Sequence, residues 1–515
     1  MRKRIERRAG LGLGLAFTLI LGGAMCRAET PGREWSRFWG TWNAEGTAVC
    51  ADTNGNLYAV GYNDMNLEGL TNASAPAEME DIFLTKFDPD GNRLMTLLWG
   101  SVSNDEANAV AVDSSGAIYV AGTTWGSIDG QSPQGHADAF LTKLNAAGVR
   151  QWTRIWGSAS NDYAYGLALD RSNRVFVVGT TWGGFGGQTN AGKSDMLMSA
   201  FNTSGSNLWH RIWGSPKEEE LHGVCVGSTG DVFAVGWTYG SFGAETNHGD
   251  SDMYATRFLA DGTRNGEKLW GSPTADKAFA ICTVGSNFWV AGHTYGAFDG
   301  QTNAGSTDFC LTLLDSQGSS LWTRIWGSTN YDTAAGLAVD KDGNAFVAGY
   351  AEGAVDGQPP VWNNDGNLYL GKTDRNGTRL WSQLWRSTNS SGPASAESVC
   401  LGLSNAVYVA GRVNDYFDGE GPGYGASRYA CLSKYVPDYR PNLTVALQGN
   451  RDVAVAWRGA YNLNFDLRTC TNLPATGGNW VALPGATNLP GEQYMGATNA
   501  PAGAVRFYQV KAHGP

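Results

Sequence analysis

Short, largely apolar runs in which residue types alternate two apart recur through most of this chain, separated by glycine-bearing turns. Ala107, Ala109 and Ala111 alternate with Val110 and Val112, and Ile118 and Val120 with Tyr119 and Ala121. Side chains two apart share one face of an extended strand, so each run reads as a short β-strand. No segment of these runs has the 3.6-residue apolar period of a helix. The expected fold class is all-β.

The runs come in sets. A Trp-Gly pair recurs at Trp39, Trp99, Trp156, Trp213, Trp270 and Trp326, with a seventh copy as Trp385-Arg386, at spacings of 60, 57, 57, 57, 56 and 59 residues. Between anchors one order repeats: a short loop, an acidic residue, a small-residue strand, a DxxG turn, a strand like IYVAGTT, a Gly-rich loop, an aspartate, a strand like FLTKL, a second turn, then a strand like WTRIWGS. Four strands per unit and seven units predict a seven-bladed β-propeller of four-stranded blades, spanning residues 34–436. The Ala- and Gly-rich strand belongs nearest the crowded axis and the Trp-rich strand at the rim. The seventh unit stops at Val436-Pro437 without its last strand, while Trp35-Ser36-Arg37-Phe38-Trp39-Gly40 near the N-terminus matches Trp322-Thr323-Arg324-Ile325-Trp326-Gly327. The N-terminal strand should therefore close the last blade and leave no open sheet edge.

The long motif WGSxxxDxAxGxAVDxxGNxYVAGxTxGxFDGQTNAGxxDxFLTKxDxxG, carried best by repeats two to five, resembles the SBBP-type β-propeller repeat. The resemblance implies a bacterial, exported, extracellular or envelope-associated propeller with no uniform catalytic activity. Repeats one, six and seven depart from the motif. The first has an irregular loop from Asn63 to Glu80, the sixth carries Gly357-Gln358-Pro359-Pro360-Val361-Trp362 in place of GQTNAG, and the seventh gains residues around Ser387 to Ala396. These neighbouring blades are candidates for a specialised binding sector. Residues 441–515 change pattern, with strand-like runs at 453–457, 465–468 and 505–510, and resemble the Ig- or fibronectin-like tail modules of secreted bacterial proteins. They predict a small C-terminal β-sandwich-like module serving as spacer or docking unit.

Residues 1–28 read as a secretory signal: Arg2, Lys3, Arg4, Arg7 and Arg8 precede an apolar run from Ala9 to Met25 and a small-residue cleavage site at Ala28. Lipid anchoring at Cys26 is disfavoured by Met25 before it. No other apolar run approaches the roughly 20 residues of a membrane helix, so no transmembrane segment is expected in the mature chain. Removing the leader leaves 31 basic against 47 acidic residues, a net charge of −16. That balance argues against nucleic acid, which is bound by neutralising phosphates with Lys and Arg. The remaining cysteines are odd in number and lack CxxC spacing, and Cys50, Cys225, Cys282 and Cys400 share one segment of their repeats. They read as small buried apolar residues rather than a disulfide framework.

Several series could carry chemistry. An acidic residue stands six positions after the anchoring Trp as Glu45, Asp105, Asp162, Glu219, Asp276 and Asp332, with Glu397 as the equivalent after the insertion in repeat seven. Each precedes the innermost strand, so the set should ring one mouth of the channel. It either faces a ligand or cation, or accepts turn N–H groups and locks neighbouring blades. A second series precedes the third strand: Asp81, Asp138, Asp195, Asp252 and Asp308, replaced by Asn367 and then Arg428. The GxFDGQTNAGxxD loops offer oxygen ligands, making Asp299 and Asp308 calcium candidates, or else they form Asx turns. The Trp-x-Arg-x-Trp stripe (Trp35/Arg37/Trp39 and its copies) is either a sugar-binding ladder or rim packing. The six histidines occupy non-equivalent positions without zinc spacing, and no GxSxG elbow or phosphate loop stands in a suitable context. These residues point to a non-catalytic exported propeller that binds a polysaccharide or protein partner, without a cofactor unless calcium binds at Asp299 and Asp308. The alternative is a polysaccharide-active enzyme, a lyase or glycosidase, using Glu397, Glu219 or Glu220 near the channel mouth.

Overall fold

The computed structural model describes residues 32–40, 43–73, 79–358, 366–385, 394–414 and 428–436, together with the backbone of six strands between Asn442 and His513. The leader reading of 1–28, Trp362 and the inserted loop 387–393 lie outside the described residues.

Seven four-stranded antiparallel sheets form the blades of a β-propeller. Blade two shows the plan, with strands Asp105–Val112, Ile118–Thr124, Asp138–Leu144 and Arg150–Trp156 pairing in chain order. Blade seven is composite. Its strands Ser395–Leu401, Val407–Asn414 and Arg428–Val436 are completed by Gly32–Trp39, which pairs antiparallel with Arg428–Val436 and sets Trp39 opposite Ala430. The ring is thus closed by hydrogen bonds between the two ends of the propeller chain, and the expected seam is present.

The first strand of each blade lies nearest the axis, where neighbouring backbones come close. A Cβ on Gly166 would lie 2.4 Å from the His222 carbonyl of the next blade, and one on Gly336 2.8 Å from the Val399 nitrogen. Only glycine admits that approach. Side chains bridge the same gaps: Thr47 Oγ1 donates to the Ala107 carbonyl at 2.5 Å and Asn108 Nδ2 to the Ala164 carbonyl at 3.0 Å. Every one of these axial strands carries a register shift after its second or third residue.

The core sits between blades. Tyr58, Val60, Ile82, Leu84 and Trp99 of blade one pack on Ile118, Val120, Phe140 and Leu144 of blade two. Each anchoring Trp closes its outermost strand and reaches the next blade: Trp39 meets Phe83 and Phe87 of blade one, Trp156 meets Phe201, and Trp326 donates to Tyr369 Oη at 2.9 Å. An aromatic of this size covers the splayed outer part of the wedge between two sheets. All six cysteines among the described residues are free, and burial pushes the Cys400 and Cys431 thiols up to about 12. Among the described residues no helix is long and apolar enough to cross a membrane.

The C-terminal strands form a separate compact unit of two three-stranded antiparallel sheets. One pairs Asn442–Leu447, Val453–Arg458 and Glu492–Ala497; the other pairs Val481–Ala482, Asn464–Cys470 and Phe507–His513.

Candidate functional site

In blades two to six the axial strand begins with an acid, Asp105, Asp162, Glu219, Asp276 or Asp332. All five are closed off from solvent. Each accepts the backbone N–H of the serine four residues earlier at 2.5–2.8 Å. The aspartate opening the third strand of the preceding blade, Asp81, Asp138, Asp195, Asp252 or Asp308, approaches the same place. A Cβ on Gly100 would lie 2.4 Å from Asp81 Oδ1 and 2.7 Å from Asp105 Oδ2, and Gly157, Gly214, Gly271 and Gly327 are confined alike. At these five junctions the anchor is Trp-Gly because two carboxylates occupy the space of any side chain. Where the pair reads Trp385-Arg386, Asn367 and Ala394 stand in place of the acids. Burial pushes Asp105 up to about 7 and Asp81, Asp138, Asp276 and Asp332 up to about 6.

Two members of the acidic series fall elsewhere. The ladder sets Gly46 opposite Gly61 and Ala107 opposite Gly122, so the counterpart of Asp105 in blade one is Ala44, and Glu45 corresponds to Glu106. The connection after Trp39 is one residue shorter than those after Trp99, Trp156, Trp213, Trp270 and Trp326, which displaces a count made from the Trp. In blade seven Ala396 faces Gly411, so the counterpart is Ala394, and Glu397 lies beyond the start of the strand. Likewise Tyr429, not Arg428, takes the place of the third-strand aspartate, because Tyr429 faces Val413 as Asp138 faces Thr124.

The other candidate series have local partners. Asp299 Oδ2 accepts Thr323 Oγ1 at 2.7 Å and Asp308 Oδ2 accepts the Ala304 N–H at 2.7 Å, separate turn and strand contacts. Among the described residues no group of three or more His, Cys, Asp or Glu is placed to hold a metal ion. In the outer stripe, Arg37, Arg154, Arg211 and Arg324 donate Nε to the carbonyls of Gly91, Gly205, Gly262 and Gly377 in the next blade at 2.6–3.1 Å. Their guanidinium groups lie 5.0–5.3 Å from the centroids of Trp35, Trp152, Trp209 and Trp322. Trp35, Trp152 and Trp209 also cover the turns at Gly91, Gly205 and Gly262, so the stripe fastens one rim to the next.

Beside the buried acids, the alternate, half-buried positions of the axial strands line the channel mouth, and here the sevenfold repeat breaks down. Blades seven, one and two supply acids. Glu45 Oε2 accepts Tyr62 Oη at 2.9 Å and Arg412 Nη1 at 2.8 Å, and Glu397 Oε1 accepts Ser395 Oγ at 2.6 Å. Glu80 is hydrogen-bonded to Glu106, and burial together with that neighbour pushes Glu80 up to about 7. Burial and the charge of Glu45 likewise push Glu397 and Glu106 upward. Blades three to six supply rings. Tyr165 stacks on His222 at 4.6 Å, Phe279 meets His222 at 5.1 Å and His293 at 5.3 Å, and Tyr331 meets His293 at 5.9 Å. His222 Nε2 bonds Glu220 at 2.9 Å, and Lys277 Nζ lies 3.9 Å from the Trp237 centroid. Burial, then the charge of Lys277, holds His293 down at about 4. Of the acids singled out in the sequence, Glu45, Glu220 and Glu397 reach this mouth. Tyr62, Glu80, Glu106, Arg412, Tyr165 and Phe279 also belong to it, and the period of two, counted from the residue after each buried acid, is the signal that finds those on the axial strands.

The family model described as SBBP: Beta-propeller repeat matches residues 96–129, 151–186 and 321–354. These three stretches of the propeller match the SBBP β-propeller repeat. Regulatory protein FlaEY of Caulobacter vibrioides is 26% identical over 377 residues, covering 63% of this chain and 38% of the relative. The chain therefore spans well under half of that relative's length. Among solved structures, the Pan2 WD40 domain of Neurospora crassa aligns over 78% of this chain and 97% of its own, with TM-score 0.43 and 9% identity. A protein of unknown function from Bacteroides caccae aligns over 59% of this chain and 89% of its own, with TM-score 0.34 and 12% identity.

The mouth of the propeller brings carboxylates and aromatic rings together. The paired carboxylates of glycoside hydrolysis stand about 5–5.5 or 6.5–9.5 Å apart, leaving room for the sugar or a water. Glu80 and Glu106 instead hydrogen-bond one another. The rings of blades three to six offer apolar faces, and the acids of blades seven, one and two accept hydroxyl and amide donors.

Proposed function

We propose that this propeller is a non-catalytic binding protein that engages a polysaccharide through the loop face, at the channel mouth, after export to the cell envelope. The observation that carries the reading is the clustering of aromatic rings in blades three to six, with Glu220 among them, beside the acids Glu45, Glu80, Glu106 and Glu397 of blades seven, one and two. Symmetric positions maintain the ring, whereas a ligand is selected by positions that differ from blade to blade. A combined aromatic and hydrogen-bonding wall is what a sugar chain requires, since each pyranose presents C–H faces and hydroxyl edges. The leader-like start of the chain supports export, and the C-terminal unit provides a spacer or second attachment.

A glycan array probed with the purified protein tests the proposal. Binding that is lost in Glu45→Gln/Glu397→Gln or Phe279→Ala supports it. Capture of a protein but no glycan would replace the polysaccharide with a protein partner, and release of reducing ends from a bound polysaccharide would make the protein an enzyme.

A further inference from the structure

Around the rim of this mouth a second feature breaks the sevenfold pattern. One residue past the end of the second strand stand Trp125, Trp182, Tyr239 and Tyr295 in blades two to five. Their register is equivalent, because each backbone N–H bonds a carbonyl of the loop leading into its own blade's axial strand: Asn104, Asn161, Glu218 and Ala275, at 2.9–3.1 Å. In blades six, seven and one the same position holds Glu352, Asn414 and Asp64, so the aromatic series begins and ends.

The members are fixed yet open. Trp125 meets Tyr163 edge-on at 6.1 Å, Tyr239 meets Trp237 at 5.4 Å, and Tyr295 meets His293 at 5.7 Å, so mouth residues brace them from inside. Trp182 and Tyr295 are 45% and 42% exposed, among the most exposed large apolar residues described. Between Trp125 and Trp182 lies a groove of about 550 Å³, with His136, Ser160 and Asn161 completing its wall. Two indoles with hydroxyl, amide and imidazole groups between them offer apolar faces and polar edges together. That volume falls in the range of small-molecule sites.

We infer that Trp125, Trp182, Tyr239 and Tyr295 form a track on which successive rings of a linear, non-anionic polysaccharide stack, with one sugar seated in the Trp125–Trp182 groove. The inference rests on the polysaccharide reading above and adds the site and the class of chain. The surroundings set the charge. Glu218, Glu220 and Asp250 act on Tyr239, Glu106 and Glu220 on Tyr163, and Glu352 on Tyr331, raising all three phenols after burial has done so. Lys193 pairs with Glu218 at 2.8 Å and Lys277 lies over the Trp237 ring. Yet Glu106, Glu218, Glu220, Asp250 and Glu352 outnumber these cations, so a uronate or sulfated chain is disfavoured here, as is a nucleic acid. Hydroxyl groups would meet acceptors.

Affinity electrophoresis of the full chain through gels containing glucomannan, xylan, laminarin or dextran, and separately alginate or polygalacturonate, tests the track. Wild type should be retarded by at least one neutral polymer and by neither acidic one. Trp182→Ala should weaken that retardation about tenfold, the scale of one lost stacking contact, and Tyr295→Ala should weaken it less. Leu208→Ala, an exposed change on an outermost strand, should leave it unaltered, and unchanged melting temperatures establish that the variants are folded. Retardation by a neutral polymer that survives Trp182→Ala/Tyr295→Ala overturns the track while the polysaccharide reading stands. Stronger retardation by alginate overturns the charge argument. No retardation of wild type in any gel, with no glycan bound on the array, overturns the polysaccharide reading and the track with it.

Discussion

Replacing Asp105 by Asn should stabilise the propeller at neutral and alkaline pH while leaving it little changed in mild acid. Asp105 is fully buried at the junction of blades one and two, and burial, with Asp81 adding to it, lifts its carboxyl to about 7. An unfolded chain holds an aspartate near 3.9. The folded state therefore binds the proton more tightly, so the contribution of this group to stability is complete below about pH 4 and is lost as pH rises towards 7. Three pKa units at about 1.4 kcal/mol each amount to about 4 kcal/mol. With an unfolding entropy of about 2.1 cal/mol/K per residue over a ring of about 400 residues, that corresponds to about 5 °C in Tm. Asparagine keeps an oxygen for the Ser101 N–H, now at 2.5 Å, and removes the buried charge. Thermal melts of wild type and Asp105→Asn from pH 4.5 to 8.5 measure the effect. The variant should gain up to about 5 °C above pH 7 and show a shallower decline. In strong acid both should weaken, because hydrogen bonds from the Asn92 side chain and the Thr263 N–H hold Asp88 and Asp261 below the usual carboxylate range. A loss of Tm in the variant that is equal at pH 4.5 and 8.5 would refute the reasoning and assign Asp105 a purely geometric role.

The seam gives a further test: Trp39→Ala removes a buried indole from Phe83 and Phe87, and urea unfolding should show a loss of about 3–5 kcal/mol, with a silent substitution refuting closure by the N-terminal strand. Gly166→Ala would drive a methyl group to within 2.4 Å of the His222 carbonyl, so its melting temperature should fall by several degrees, whereas Gly300→Ala, with open space around it but positive φ, should cost about 1 kcal/mol. His293, held at about 4, should show no imidazole titration by NMR between pH 5.5 and 8, and a midpoint near 6.5 would show that it is not buried as described. Arg154→Ala takes away the bond to the Gly205 carbonyl and the cover over Trp152, and chemical denaturation should register about 1–2 kcal/mol.

Much of the fold could be read directly from the chain. The alternation of Ile118 to Ala121, the turn glycines and the recurring Trp-Gly pair are local signals, and local rules of strand and turn geometry act on them without reference to distant residues. The match of Trp35–Gly40 to Trp322–Gly327 also disclosed the closed seam, because strands of the same pattern take equivalent places in a repeated sheet. The candidate site was less accessible. Counting six residues from each Trp found the buried acids in blades two to six but assigned Glu45 and Glu397 to the same series, since spacing does not reveal a shortened connection or where an insertion is absorbed.

By itself the sequence determined the number of blades, the strands within each and the presence of an acid near every regular junction. Only the tertiary structure decided which carboxylates are sealed between blades and which face the mouth. A one-residue change of register turns a strand side chain to the opposite face, and that register is fixed by partners across the ladder, Gly61 and Gly411, rather than by distance along the chain. The aromatic rim, from Trp125 to Tyr295, came into view the same way: four residues far apart in sequence became one surface when the ring closed.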